Sequence, residues 1–285
     1  MAASCAGISA LLRFPGSSPL GSLLVGGRIE VSREGALGWI VFDQPERRNA
    51  ISEQMWRALP QAAADLSRDP AVRVVVLRGR GDVAFVSGAD ISEFERIRTG
   101  GAAAGEYDAL TDAAFSALLG LPKPVIALVH GFCVGGGLAL ALTADLRLAS
   151  EDARFAIPAA RLGLGYGEAG IRALVNLVGP SSAKEILFSG RLFDAPEALR
   201  MGLVNGIFPK ASLDQAVRSS AQAIAENAPL TLAAVKRVVG ELGRDEALRD
   251  RAGTAAAIQA CFESEDYREG VRAFLEKRRP RFQGR

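Results

Sequence analysis

Two glycine-punctuated turns constrain this chain more than any other feature. Phe85-Val86-Ser87-Gly88-Ala89-Asp90 follows the apolar run Val72 to Leu77, and Gly131-Phe132-Cys133-Val134-Gly135-Gly136-Gly137 follows Pro124 to Val129. An apolar β run that ends in glycines and opens a helix leaves the first backbone N–H groups without intrahelical partners, free to point at an incoming oxygen. Two such turns can make an oxyanion hole. A preorganised pair of N–H donors stabilises negative charge on an acyl oxygen, and losing one donor in comparable sites costs roughly 3–4 kcal/mol of barrier. The pattern points to acyl chemistry.

The rest of the chain reads as alternating strands and helices. Arg28-Ile29-Glu30-Val31 and Gly38 to Asp43 form a hairpin pattern, and Ser52 then caps a helix to about Arg68 that Pro60 is expected to bend. Val72 to Leu77, apolar but for Arg73 and rich in β-branched valine, carries the mark of a strand buried on both faces. Similar units recur at Pro124 to Leu142, Leu146 to Ala149, Phe155 to Val178 and Leu203 to Phe208. After about Asp214 only helical patterns remain: 213–227, 229–242, 245–262 and 266–278. The shift marks a second, smaller unit.

Composition excludes several function classes. A net charge of +2 with dispersed basic residues gives no nucleic-acid footprint. Three separated cysteines, Cys5, Cys133 and Cys261, imply reduced thiols and a cytoplasmic setting rather than a disulfide framework. The single histidine, His130, and the lack of paired cysteines leave no zinc site of ordinary spacing, so no metal is expected. No apolar stretch reaches the ~18–20 residues that span a bilayer. Residues 1–28, rich in Ser, Gly and Pro and without an acid, read as a disordered extension. An organellar transit peptide, and hence a matrix location, is the alternative.

The turns belong to a longer collinear series. It comprises Ile40 to Pro45 with Asn49-Ala50-Ile51, Phe85 to Ser92, Lys123 to Ala127, the glycine triplet, Ala144-Asp145, Phe155 to Gly163 and Ala195 to Val204. It closes with Glu265 to Gly270 and Phe274 to Arg278. From about residue 29 to the C-terminus this series resembles the enoyl-CoA hydratase/isomerase, or crotonase, superfamily. The resemblance implies an α/β fold, a crotonase-like spiral of ββα units over residues 29–213, with a helical C-terminal trimerisation segment at 214–285. It also implies a homotrimer, or a hexamer of paired trimers.

The resemblance assigns the two oxyanion N–H donors to Ala89 and Gly136. Ser87, Gly88, Asp90, Ile91, Gly135, Phe274 and Lys277 are the expected acyl-CoA contacts, Lys277 through a CoA phosphate. No separate cofactor is implied, CoA being part of the substrate. The family's hydratases add two glutamates, one two residues after the glycine triplet and one just after the proline of Phe155-Ala156-Ile157-Pro158. Here those positions are Ala139 and Ala159. Standard syn-hydration is therefore doubtful, while the oxyanion machinery is intact. Glu168, in the turn opening the next helix, is the candidate acid/base; helix capping is its plainer role. Asp108 and Asp112 lie in a segment that borders the pocket in relatives.

Other signals read as structural. Gly165-Tyr166-Gly167-Glu168-Ala169-Gly170 fits G-x-G-x-x-G, but no buried strand precedes it and no acid-bearing second strand follows, which argues against a nicotinamide-dependent oxidoreductase. His130 ends an apolar strand without a serine nucleophile, and Cys133 sits between Phe132 and Val134, as a small core residue does. Asp90 is expected to order its own turn, and Asp145 is also read as structural. The sequence reads as an acyl-CoA thioester enzyme of the enoyl-CoA hydratase/isomerase type. The alternatives are an acyl-CoA-binding protein with little turnover, or a decarboxylase, isomerase or thioester hydrolase of the same fold.

Overall fold

The computed structural model describes residues 27–90, 93 and 101–285, without the side chains of 101–104. Most of the expected N-terminal extension and the contact residue Ile91 lie outside the described residues.

Among the described residues, ten strands form two sheets. The larger has the order β1 (Arg28–Glu34), β2 (Leu37–Asp43), β3 (Val74–Gly79), β5 (Val125–Val129), β7 (Leu146–Ser150) and β10 (Gly206–Phe208). Only β1 and β2, a hairpin, pair antiparallel in it; the other neighbours are parallel. The smaller sheet runs β4 (Ala84–Val86), β6 (Phe132–Val134), β8 (Arg154–Ala156) and β9 (Phe193–Asp194).

Alternation along the central strands explains the layers. On β3, Val75 and Leu77 enter the large core shared with α1 (Glu53–Arg68), whereas Val74 and Val76 face a second core. Ile126 and Leu128 on β5 join that second core, while Val125, Ala127 and Val129 face the first. Helix α6 (Leu213–Ala225) covers the second core with Leu213, Val217 and Ala221, one apolar residue per turn. A strand with both faces covered needs a continuous apolar run, which is what Val74 to Leu77 supply.

Helix α1 starts at Ser52, whose hydroxyl accepts the Met55 amide at 3.3 Å. A single helix carries through Pro60, burying Met55, Trp56, Leu59, Ala62, Ala63 and Leu66 on one face. Helix α2 (Gly101–Leu119) packs beside it. Short α3 (Gly136–Leu142) follows the glycine triplet, and α4 (Glu168–Ser189) breaks at Gly179 (φ 75°, ψ 165°) just before Pro180. That break is the helix end expected at Val178; proline has no N–H to continue the ladder.

Arg147 on β7 anchors α3. Its buried guanidinium donates to the carbonyls of Ala144 (2.6 Å) and Leu203 (2.9 Å), and more distantly to Ala141 (3.4 Å). The cation thus satisfies carbonyls left over at the C-terminal end of the helix that opens the second glycine turn. Charge-assisted bonds of this kind contribute about 1.5–3 kcal/mol each. Asp145 accepts the Val125 amide at 2.7 Å and Lys236 Nζ at 2.8 Å, fixing α7 (Pro229–Leu242) to the sheet.

Short α5 (Ala195–Arg200) lies before β10, and the chain beyond Asp214 is helical: α6, α7, α8 (Arg251–Glu263) and α9 (Glu265–Leu275). The helix expected from Asp245 begins instead with a separate 3-10 turn, Glu246–Leu248, because Asp250 caps α8 by accepting the Gly253 amide at 2.8 Å. Buried Asp266 accepts the amides of Gln283 (2.6 Å) and Gly284 (2.7 Å), folding the C-terminal tail against α9. Val235, Val239, Phe262, Phe274 and Leu275 form an apolar cleft and stay exposed in the single chain. Among the described residues, no helix is long and apolar enough to cross a membrane.

Candidate active site

The two glycine turns meet. β4 delivers Ser87 to Asp90, and β6 delivers Gly135 and the start of α3. Their backbones are set by neighbours that leave two amides over. Ser87 donates its N–H to Arg48, Ile51 donates to Gly88, and Asp90 donates to Ile51, at 3.1, 2.8 and 2.9 Å. The Ala89 amide lies between these bonds and has no partner among the described residues. Gly135 donates to Ala156 at 2.8 Å, while Gly136, the first residue of α3, has no earlier turn to donate into. A methyl built on Gly136 would stand 3.7 Å from the Ala89 nitrogen and 3.6 Å from Trp56 Cζ2. The two free amides therefore belong to one cradle, under the indole of Trp56.

Glycine is required where the turns close. Gly88 (φ 121°) and Gly135 (φ 55°) adopt conformations that side chains disfavour. Arg48 and Asn49, both with positive φ, shape the support beneath; the Asn49 side chain donates to Ala84 (2.8 Å) and Arg80 (3.0 Å) and accepts from Gln44 (3.1 Å).

The cradle opens into a cavity of about 640 Å³. Ser87, Gly88, Ala89, Gly135 and Gly136 line it, as the sequence suggested, and so do Asp108, Thr111 and Asp112 from α2. Ala139 and Ala159 line it as well, presenting methyl groups at the positions where hydratases of the resemblance carry glutamates. Trp56, Tyr107, Phe115 and Tyr166 add aromatic walls, and the Trp56 indole donates to Tyr107 Oη at 2.9 Å. These aromatics were not legible beforehand. Trp56 lies on the apolar stripe of α1, and nothing in a stripe separates a cavity wall from core.

Four expectations need correction. Glu168 does not enter the cavity: its side chain is 82% exposed and pairs with Arg172 one turn on. The periodicity of α4 is the reason, since Ala169, Gly170 and Ala173 take the inward face and turn 168 and 172 outward. Its place is that of an acid in a first helical turn. Asp90 is buried but aimed away, held by Arg47 Nη1 at 2.5 Å and Gln44 Nε2 at 3.3 Å, so it locks the turn to the preceding segment rather than meeting a ligand in the cavity. Phe274, 83% exposed, lines the apolar cleft of the C-terminal helices instead. Lys277 is exposed and outside the cavity lining.

The G-x-G-x-x-G segment finds its use here: Gly165, Tyr166, Gly167 and Gly170 form part of the cavity wall. His130 is buried beyond the cavity, its Nδ1 unpartnered, and burial pulls its pKa below the ordinary value. Cys133 is wholly buried, and desolvation pushes its thiol pKa far up, so no thiolate nucleophile is available there. No group of metal-ligating side chains occurs among the described residues.

The sequence pattern of the enoyl-CoA hydratase/isomerase family matches residues 32–285. A crotonyl-CoA hydratase of Syntrophomonas wolfei is 34% identical over 254 residues, covering 89% of this chain and 97% of that protein. A carnitinyl-CoA dehydratase of Salmonella typhi is 34% identical over 261 residues, 90% of this chain and 98% of its own. The crystal structure of an enoyl-CoA hydratase/carnithine racemase from Magnetospirillum magneticum superposes with a TM-score of 0.85 at 34% identity, covering 92% of this chain and 97% of that one.

The glycine triplet is not uniform in what it tolerates. A β-carbon on Gly137 would lie 2.0 Å from the Val86 carbonyl oxygen, whereas one on Gly136 meets nothing closer than 3.6 Å. Gly137→Ala is expected to lower stability by about 2–3 kcal/mol, the scale of an overpacked core, and Gly136→Ala by under about 1 kcal/mol, since surroundings in ordinary contact need not move. Denaturant unfolding of both variants checks the order; equal losses would contradict the placement of Val86 against the turn.

Proposed function

We propose, from the premise that this chain belongs to the enoyl-CoA hydratase/isomerase family, that it acts on acyl-CoA thioesters and stabilises an enolate between the amides of Ala89 and Gly136. The observation that carries the reading is the pair of unpartnered amides set side by side at the head of a cavity. When a proton or a carboxyl group leaves the α-carbon of a thioester, charge moves to its oxygen, and donors already aimed at that oxygen lower the barrier without reorganising. The first turn of α3 adds the positive end of its peptide dipoles. No separate cofactor enters this reading.

Ala139 and Ala159 decide what the cradle is used for. Adding water across a double bond needs a base for the water and an acid for the α-carbon, and methyl groups serve neither purpose. Decarboxylation or thioester hydrolysis places smaller demands on a paired carboxylate. A second reading, a protein that binds acyl-CoA with little turnover, is favoured by the same two methyl groups. Loss of a general acid or base forfeits about 10²–10⁴-fold per group. Crotonyl-CoA hydration is therefore expected to be slow or absent in a spectrophotometric assay, and a rate matching efficient hydratases would overturn the reading. In a mass-spectrometric panel of crotonyl-, 3-enoyl-, methylmalonyl- and longer acyl-CoAs, conversion of one ester supports the enzyme, and saturable binding without conversion supports the binding protein.

The reading includes self-association. Helices α7, α8 and α9 present an apolar cleft with Val235, Val239, Phe262, Phe274 and Leu275 exposed, which the implied trimer or pair of trimers would cover. Light scattering at micromolar concentration is expected to give a trimer or hexamer; a monodisperse monomer would count against it.

A further inference from the structure

Hydroxyl groups line the acyl cavity on several sides, and most are engaged by the protein itself. Ser87 Oγ donates to the Arg47 carbonyl at 3.2 Å, Thr111 Oγ1 to that of Asp108 at 2.9 Å, and Thr143 Oγ1 to that of Leu140 at 2.7 Å. Tyr107 Oη accepts the Trp56 indole at 2.9 Å. Ser116 is exposed. Tyr166 stands apart: the residue is half-buried, its ring packs against the main core, and its hydroxyl has no hydrogen-bond partner among the described residues.

The ring is seated, not stray. A β-carbon on Gly170 would lie 2.7 Å from Tyr166 Cε1 and 3.4 Å from Cδ1, so the first turn of α4 keeps a glycine where the ring edge lies across it. Desolvation pushes the phenol pKa up to about 12, so at neutral pH the group is a donor and not a base. The side chains of Ala139, Ile157, Pro158 and Ala159, which line the same cavity, are apolar. The Tyr166 hydroxyl is absent from the buried, unsatisfied polar atoms of the described residues and so reaches solvent, which leaves it open to a ligand oxygen that takes the place of water.

We propose that Tyr166 determines specificity: its phenol donates a hydrogen bond to an oxygen substituent on the acyl chain, so the cavity prefers hydroxyacyl or ketoacyl thioesters over unsubstituted ones of equal length. The inference rests on reading the cavity as an acyl-thioester site. It differs from that reading in concerning the acyl chain rather than the thioester carbonyl, which the Ala89 and Gly136 amides receive. A site that makes a hydrogen bond to a substrate oxygen rejects the analogue lacking it more strongly than a purely apolar pocket separates near-isosteres.

The test is a selectivity ratio. Dissociation constants for 3-hydroxybutyryl-CoA, each enantiomer separately, and for butyryl-CoA are measured by calorimetry on the full chain and on Tyr166→Phe, which keeps the ring and removes only the donor. The full chain is expected to favour one hydroxyacyl enantiomer by about five- to tenfold, the range of one neutral hydrogen bond. Tyr166→Phe is expected to reduce that ratio to about one while leaving the butyryl-CoA constant within about twofold. Gly170→Ala, which displaces the same ring from the other side, is expected to erode the ratio too. Merely structural packing would move both ligands together. Equal binding of all three esters by the full chain, or a ratio that survives in Tyr166→Phe, overturns the role of Tyr166 and leaves the acyl-thioester reading standing. Failure of the full chain to bind any of them sinks the functional reading and this inference with it.

Discussion

The close approach of two backbones is the contact on which the rest of the structure depends. A β-carbon at Gly131 would lie 1.9 Å from the Val83 carbonyl oxygen, and one at Gly137 2.0 Å from that of Val86. The two segments are thus nested, at the start of β4 and β6 and again where β4 ends against α3, too tightly for any side chain between them. Around this contact the protein builds its supports. Arg147 secures the far end of α3, Asp90 is held by Arg47, and the left-handed pair Arg48 and Asn49 carries the carbonyl and amide that fix Ser87 and Ala84. A tenth of a nanometre lost here would separate the two amides that must reach one oxygen.

Much of this was legible in the sequence because it is backbone chemistry. Glycines at a strand end that open a helix and a valine-rich run narrow the local backbone sharply, and β3, the turns and α3 follow from them. The choice of Ala89 and Gly136 within those turns came from the family resemblance. Side-chain direction was not legible in that way. Glu168 reads equally well as catalytic acid or helix cap until the inward face of α4 is known, and that face is set by Ala169, Gly170 and Ala173 packing on the cavity. Asp90 reads as a local turn former, yet Gln44 and Arg47, which hold its carboxylate, lie more than forty residues earlier in the chain. The aromatic wall was hidden because Trp56 obeys the same periodicity as core residues, and Tyr166 sits in an irregular loop whose path no periodicity gives.

The cavity pairs an anion cradle with an apolar interior. Both positions that carry carboxylates in hydratases of the family resemblance hold methyl groups here, and the remaining acids of the lining, Asp108 and Asp112, are exposed on α2. The chemistry available close to the cradle is therefore stabilisation of charge on a thioester oxygen, with a protonated phenol as the unengaged donor. On the proposed reading, the site would keep the electrostatic part of the family's catalysis without the usual proton carriers.

The central claim is that the Ala89 and Gly136 amides receive the thioester oxygen. A crystal structure with butyryl-CoA, which has neither a double bond to hydrate nor a carboxyl group to lose, addresses it directly. The account predicts the carbonyl oxygen about 2.7–3.1 Å from both nitrogens, the geometry of an oxyanion hole, with the acyl chain running towards Ala139 and Tyr166. A thioester bound with its oxygen turned away from both amides, or lodged outside this cavity, would contradict it.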